Sequence, residues 1–160
     1  MDTRTEVGRF SDKLIIQRHL VMIRNQPDLD KIWDQIELIL LETKSTWNDY
    51  FTLQYFYERI ANGTFQLFIM VDQEEEIILA TIAQMVQYPN TSTMNFLWMG
   101  GKEAKRGIEY LPDLEIMLKK LGIKKIVFTG RKGFLRLLKR HGYEQRAIAF
   151  EKDLTHLMEH

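Results

Sequence analysis

The chain of 160 residues contains no cysteine and only three prolines. Without cysteine it can form no disulfide, no thiolate metal site and no cysteine nucleophile, and this absence is typical of a reducing compartment. No apolar run approaches the roughly 20 residues that cross a membrane. The opening MDTRTEVGRF also lacks the apolar stretch of a signal peptide. We therefore expect a cytoplasmic protein with no membrane partner.

The composition suits one globular domain. Hydrophobic residues make up 45% of the chain and aromatic residues 11%, which is enough to bury a core in a chain of this length. No repeat and no Pro/Gly/Ser-rich linker divides the sequence. We therefore expect a single domain over residues 1–160, with its core in residues 19–152.

The net charge is zero, but the charges are unevenly placed. Between Lys102 and Arg146 there are thirteen Lys and Arg residues and five Asp and Glu residues, so this segment carries +8. Such a segment can attract a phosphorylated ligand, nucleic acid or an acidic partner. Alternatively, these cations solvate the outer faces of two amphipathic helices, and the sequence leaves both interpretations open.

Hydrophobic spacing predicts ten elements in the order β α α β β β α β α β. They are a strand at His19–Arg24, helices from Pro27 to Leu40 and Thr52–Ala61, strands at Phe65–Val71, Ile77–Tyr88 and Met94–Met99, a helix at Leu111–Leu121, a strand at Lys125–Phe128, a basic helix with Phe134, Leu137 and Leu138 inward, and a strand at Arg146–Glu151. Antiparallel hairpins followed by a βαβ crossover predict an α+β, or mixed α/β, three-layer domain.

The segment IKKIVFTGRKGFLRLLKRHGY, residues 123–143, is the most specific part of the chain. The passage LGIKKIVF and the helix GFLRLLKRHGYEQ resemble the corresponding parts of the GNAT N-acetyltransferase superfamily, and the likeness extends over residues 19–152. GRKGFLRLLKRHGY resembles in particular the GNAT-like proteins that bacteriophages encode. The resemblance implies a central, mostly antiparallel, V-splayed sheet flanked by helices, an acetyl-CoA cofactor and an amine acceptor.

In that family a glycine-rich loop after the central strand binds the pyrophosphate of acetyl-CoA through backbone N–H groups at a helix start. The matching segment is GGKEAKRG, residues 100–107, in which Glu103 and Lys105 stand where small residues are usual. An ordinary strand-to-helix connection is the alternative interpretation. The resemblance implies these cofactor contacts: Met99, Gly100, Gly101, Lys102, Lys105, Arg106, Gly107 and Arg131.

The catalytic signature is incomplete. The family commonly places a tyrosine acid four residues before the closing glycine, and Leu138 holds that position here. His141 suits a helix end better than proton transfer. The strand Met94–Met99 carries no carboxylate base, so a water chain would have to serve, and we expect no cluster with metal-ligand spacing.

An aromatic run lies where the family's substrate-side helices form one wall. It can stack a base or line a substrate slot. Alternatively, Phe51, Tyr55 and Phe56 are core residues and the others form a rim, and we expect Trp98 to be core as well. The run comprises Trp47, Tyr50, Phe51, Tyr55, Phe56 and Tyr57.

Three hypotheses about function remain open. The first is an acetyl-CoA-dependent N-acyltransferase. The second is a GNAT-like protein without acetyl transfer, serving as a phage virion or assembly component or as another binding protein, located in the host cytoplasm or the virion. The third is nucleic-acid binding or modification, which the +8 segment and the aromatic run suggest.

Overall fold

The structure is a computed structural model, and it describes residues 20–129 and 132–158. The chain divides into two compact units, one ending at Thr129 and one beginning at Gly130. Each unit is considered by itself. No helix within the described residues combines the length and the apolarity that crossing a bilayer requires.

Within residues 20–129 the first unit contains five strands and four α-helices, with two 3₁₀ helices at Lys44–Thr46 and Ala104–Tyr110. The strands are β1 (Leu20–Ile23), β2 (Gln66–Val71), β3 (Ile77–Gln87), β4 (Ser92–Gly100) and β5 (Lys125–Phe128). The helices are α1 (Gln26–Asp30), α2 (Trp33–Glu42), α3 (Leu53–Ala61) and α4 (Leu111–Lys120). Every strand and helix predicted between residues 19 and 129 has a counterpart here.

The five strands form one sheet in the order β1-β2-β3-β4-β5. The first three pairings are antiparallel; short hairpins join β2 to β3 and β3 to β4, whereas three α-helices separate β1 from β2. β5 runs parallel to β4 after the crossover through α4. This mixed sheet between helices confirms the predicted α+β, mixed α/β architecture.

The sheet buries one apolar face under α1, α2 and α3. Val21, Ile69 and Ile82 from the strands pack in one cluster with Ile36 of α2 and Phe56 of α3. The opposite face carries Leu20 and Phe68, which line a small cavity with Leu111 and Leu114 of α4. Alternation along the strands produces these two faces, because successive side chains point to opposite sides of a sheet.

Helix starts follow the expected capping chemistry. The Asn25 side chain accepts a hydrogen bond from the backbone N–H of Asp28 at 2.9 Å, and Thr52 accepts one from the N–H of Tyr55 at 3.1 Å. Pro112 lies in the first turn of α4, where its missing N–H costs nothing. The sequence therefore marks the starts of α1, α3 and α4.

Two details differ from the sequence-based predictions in this unit. The single helix expected from Pro27 to Leu40 is broken between Asp30 and Trp33, and this break leaves both Leu29 and Ile32 buried. In the aromatic run, Trp47 is core at 4% exposure, because its indole Nε1 donates to the Leu40 carbonyl at 2.8 Å. Tyr55, expected in the core, is 36% exposed. Phe56 and Trp98 are buried as predicted.

The second unit contains α5 (Lys132–Arg140). Its end is closed by the backbone N–H of Tyr143, which donates to the carbonyl of Leu138 at 3.1 Å. The prediction of a strand at Arg146–Glu151 is wrong, since residues 143–154 have no regular secondary structure. Their alternating pattern needs a neighbouring strand to bury it, and Phe150 is instead 92% exposed.

Candidate functional site

The end of β4 is the first notable feature of the site. Ile82 pairs with Trp98 but Ala83 pairs with Phe96, so Leu97 is an extra residue in β4 and forms a β-bulge. The pairing of β4 with β5 ends at Phe96 opposite Phe128. Since β5 also ends at Phe128, the last four residues of β4 extend beyond its ladder with β5.

A tight turn follows β4 and folds back onto β3. Gly101 has φ of +117°, and a Cβ at this residue would lie 2.6 Å from the carbonyl oxygen of Ile78. The same carbonyl accepts a hydrogen bond from the backbone N–H of Glu103 at 2.9 Å. The N–H of Ala104 donates to the Gly101 carbonyl at 3.2 Å. The turn backbone is thus held by the protein's own carbonyl groups.

The two described cations of this loop are already paired with carboxylates. Lys102 Nζ lies 3.0 Å from Glu76 Oε2, and this hydrogen bond raises the pKa of Lys102. Arg106 Nη2 lies 2.9 Å from Glu109 Oε2, and Nη1 lies 3.4 Å from Glu103 Oε1. An incoming anion would have to compete with these carboxylates.

Tyr110 completes the polar end of the loop. Its hydroxyl donates to Glu103 Oε2 at 3.0 Å. Burial of the phenol and this hydrogen bond, in that order, raise the pKa of Tyr110. Glu103 therefore joins Arg106 and Tyr110 into one polar cluster.

Gly107 and Met99 have a packing role in this structure. A Cβ on Gly107 would lie 2.8 Å from the Met99 sulfur. Both residues line a cavity of about 20 Å³ under the 3₁₀ helix. Gly100 is also enclosed, since its Cβ position lies 2.5 Å from the ring of Trp98.

Seven of the eight predicted cofactor residues lie within residues 99–107, a continuous stretch of the sequence. Lys105 lies in the 3₁₀ helix, but its side chain is outside the described part of the structure. Arg131 lies outside the described residues. Contact between a cofactor and any of the eight predicted residues stays a prediction.

One carboxylate cluster was not expected from the sequence. Asp72, Glu74 and Glu76, in the turn between β2 and β3, have ligand oxygens within 4.8 Å of one another. The turn brings them together because Asp72 Oδ1 accepts the backbone N–H groups of Glu74 and Glu76, each at 2.9 Å. This acidic turn supplies the Glu76 that pairs with Lys102.

A second concave surface lies between α2 and α3. It is an open cleft of about 520 Å³. Trp33 and Tyr57 meet edge to face with centroids 5.2 Å apart, and the Tyr57 hydroxyl donates to Asp30 Oδ1 at 2.6 Å, a bond that raises the pKa of Tyr57. The lining residues are Asp30, Trp33, Asp34, Glu37, Leu53, Gln54 and Tyr57.

The sequence predicted that Tyr57 lines a slot or belongs to a rim of aromatic residues, and it did not predict the carboxylates of this cleft. Asp30, Asp34 and Glu37 recur at intervals of four and three residues, which places side chains on one side of a helix. That spacing was the available signal. The cleft is acidic on the α2 side and aromatic where the two helices meet.

Comparison with solved structures identifies the fold. An aminoglycoside acetyltransferase from an uncultured soil metagenomic sample, in complex with sisomicin, superposes with a TM-score of 0.60 at 12% identity, over 86% of this chain and 97% of that one. Its complex with trehalose gives 0.61 at 12% identity, over 88% and 99%. This chain has the GNAT fold.

A proposed acetyl transferase from Pyrococcus furiosus also carries the GNAT fold, with a TM-score of 0.58 at 16% identity, over 84% of this chain and 99% of that one. No protein-family model and no curated protein sequence matches the chain. At such identities the likeness establishes the fold, and the chemistry must be argued from the residues of the site.

Proposed function

We propose that the protein is an acyl-CoA-dependent N-acetyltransferase with an altered donor loop, which is the segment of residues 100–107 that would bind the acetyl donor. The observation that carries the proposal is the end of β4, whose last four residues extend beyond the ladder with β5 and lead directly into the cationic turn with Lys102 and Arg106. Strand-edge N–H and C=O groups can hydrogen-bond an extended ligand chain that contains amides. The cations beyond them can hold phosphates.

The loop fits acetyl-CoA by charge rather than by free backbone amides. Two amides at the turn, those of Glu103 and Ala104, donate to protein carbonyls. Lys102, Lys105 and Arg106 would therefore provide the phosphate contacts, once the carboxylates paired with the described cations give way. Acetyl-CoA, when bound, would supply an activated thioester.

Proton transfer in this proposal falls to water. Acetyl transfer to an amine forms a C–N bond and breaks a C–S bond, and the proton that the amine loses is balanced by one that the leaving CoA thiolate takes up, both through water. Leu138 cannot donate a proton, and residues 94–99 of β4 include no carboxylate. The protein's contribution would be positioning and polarisation of the reacting groups.

The acidic cleft between α2 and α3 supports a cationic amine as the acceptor. Asp34 and Glu37 would attract an ammonium group, and the rings of Trp33 and Tyr57 offer a face for a cation. The neighbour solved with sisomicin is an aminoglycoside acetyltransferase. An aminoglycoside is therefore a sensible member of an acceptor panel.

Donor binding is tested by calorimetric titration with acetyl-CoA and CoA. The variant Lys102→Gln plus Arg106→Gln should bind about tenfold more weakly or worse, because two charge-assisted contacts are lost. Lys119→Gln plus Lys120→Gln, at the far end of α4, removes the same charge and should have little effect. Binding should also weaken with salt. No binding at millimolar ligand would overturn the proposal.

Acceptor choice is tested by thiol release from acetyl-CoA with a panel of cationic and neutral amines. Asp34→Asn plus Glu37→Gln should raise KM for the cationic amines selectively. Glu42→Gln plus Asp49→Asn, outside the cleft lining, is the matched control. If both pairs alter KM equally, the cleft is not the acceptor site.

A second candidate function is a non-catalytic binding role on the same fold. It is favoured by the carboxylate partners of Lys102 and Arg106 and by the leucine at position 138. A folded protein that binds neither acetyl-CoA nor CoA would support it. For the phage-component form of this role, absence of the chain from the peptide spectrum of purified particles would count against it. Nucleic-acid association stays a prediction, tested by the salt dependence of DNA binding.

A further inference from the structure

The carboxylate of Glu103 in the donor loop occupies the place where a bound phosphate would accept hydrogen bonds. Glu103 accepts hydrogen bonds from the hydroxyl of Tyr110 at 3.0 Å and from Nη1 of Arg106 at 3.4 Å. A guanidinium and a phenol hydroxyl are both groups that bind phosphate oxygens. In this structure both are directed at the same side chain.

We propose that the carboxylate of Glu103 is a built-in competitor for phosphorylated ligands and sets the affinity of the loop for them. This inference rests on the donor-loop function proposed above. A phosphate that binds Arg106 and Tyr110 must first displace Glu103, so the observed affinity is the intrinsic affinity reduced by the cost of that displacement.

The displacement must come from the side chain, because the backbone of Glu103 is anchored. Its N–H donates to the Ile78 carbonyl at 2.9 Å. Gly101, two residues earlier, packs against the same β3 carbonyl, with no room for a Cβ. The Glu103 side chain is 28% exposed, so it can rotate toward solvent without opening the fold.

Glu103 is less exposed than the other two acids that pair with the cations of the loop. Glu109 accepts two hydrogen bonds from the guanidinium of Arg106, from Nε at 3.1 Å and from Nη2 at 2.9 Å, and Glu76 contacts the ammonium of Lys102. Each of these two carboxylates is 54% exposed, so water screens it more strongly. Glu103 is the most buried of the three acids, and its two hydrogen bonds come from two different residues, Arg106 and Tyr110. Its removal should therefore free more phosphate-binding groups than removal of Glu109, whose two hydrogen bonds both come from Arg106.

The experiment compares Glu103→Gln with Glu109→Gln, which changes the net charge by the same amount beside the same arginine. Inorganic pyrophosphate and CoA are titrated calorimetrically into wild type and both variants, with thermal melts to confirm folding. We expect Glu103→Gln to bind both ligands about tenfold more tightly and Glu109→Gln about two- to threefold. The double variant Glu103→Gln plus Tyr110→Phe should lose most of the affinity for pyrophosphate and CoA that Glu103→Gln gains beyond Glu109→Gln.

Equal gains in the two variants would overturn the inference, because net charge alone would then explain them. An unchanged affinity in Glu103→Gln, with CoA bound by wild type, would overturn it while leaving the proposed function intact. A tighter Glu103→Gln complex with pyrophosphate, without acetyl transfer to any amine, would support it and refute the proposed reaction. If neither ligand binds any of the proteins, both proposals fail.

Discussion

Replacing Gly101 by alanine tests whether the turn after β4 is held as the structure shows. The φ of +117° is unfavourable for a residue with a Cβ, which costs about 2 kcal/mol. The added methyl would also lie 2.6 Å from the Ile78 carbonyl oxygen and 3.0 Å from the Leu79 Cα. Both are backbone atoms of β3, so relieving the clash distorts a paired strand, at about 1 to 3 kcal/mol. We expect Gly101→Ala to lower the free energy of unfolding by about 4 kcal/mol.

Two other glycines provide graded controls for this prediction. Gly122 also has a positive φ, +87°, but has no atom within 4 Å of its Cβ position, so Gly122→Ala should cost only about 1 to 2 kcal/mol. A Cβ on Gly107 would meet the flexible end of Met99. The thioether can rotate away, so Gly107→Ala should cost about 1 kcal/mol or less.

The measurement is equilibrium unfolding in urea, with the slope checked for each variant so that midpoints can be compared. In thermal melts about 4 kcal/mol corresponds to a lowering of Tm by roughly 8 to 16 °C in a protein of this size. The order Gly101, then Gly122, then Gly107 is the essential outcome. A Gly101→Ala protein no less stable than Gly122→Ala would refute the close approach of the turn to β3.

Three further predictions concern single contacts. Thr81→Val should lower the free energy of unfolding by about 1 to 2 kcal/mol, because the buried Trp98 carbonyl loses the hydroxyl that donates to it at 2.6 Å. Thr81→Ser keeps the hydroxyl and should retain most of this free energy, and equal losses of stability in the two variants would contradict the prediction. Thr52→Ala should cost about 1 kcal/mol through loss of the α3 cap, with Thr52→Ser near wild type in urea melts. The raised pKa of Tyr110 means that the folded state favours the neutral phenol. The contribution of this phenol to the free energy of unfolding is therefore present below the ordinary tyrosine pKa of about 10 and is lost as pH rises through the pKa of the folded state. The Tm advantage of wild type over Tyr110→Phe should therefore shrink above about pH 10, and a pH-independent difference would contradict the shift.

Much of the first unit could be predicted from local patterns. A run of apolar residues that are buried on both faces of the sheet defines β2, and Lys125–Phe128 was predicted with the bounds that the structure shows. Caps and breakers at Thr52 and Pro112 fixed two helix starts. These signals are local, because capping and side-chain alternation depend on residues only a few positions apart.

The interior assignment of aromatic residues was less predictable. Trp47 and Tyr55 are both large and amphipathic, and their positions in the run do not distinguish them. Trp47 is buried because the Leu40 carbonyl is available to its indole N–H. Tyr55 instead lies at the surface, with the guanidinium of Arg59 4.9 Å from its ring centroid. Such choices depend on partners that the fold brings close.

In the candidate site, too, some features follow from local sequence and others depend on the fold. The sequence by itself determined the order of elements from β1 to β5, the mixed sheet and the location of a cationic turn after β4, because these follow from hydrophobic period, turn residues and charge along the chain. Only the tertiary structure decided that Glu76, from another hairpin, pairs with Lys102, and that Glu103 joins Arg106 to Tyr110. The physical reason is that electrostatic pairing depends on distance in space, and folding brings together charges whose separation along the chain carries no such information.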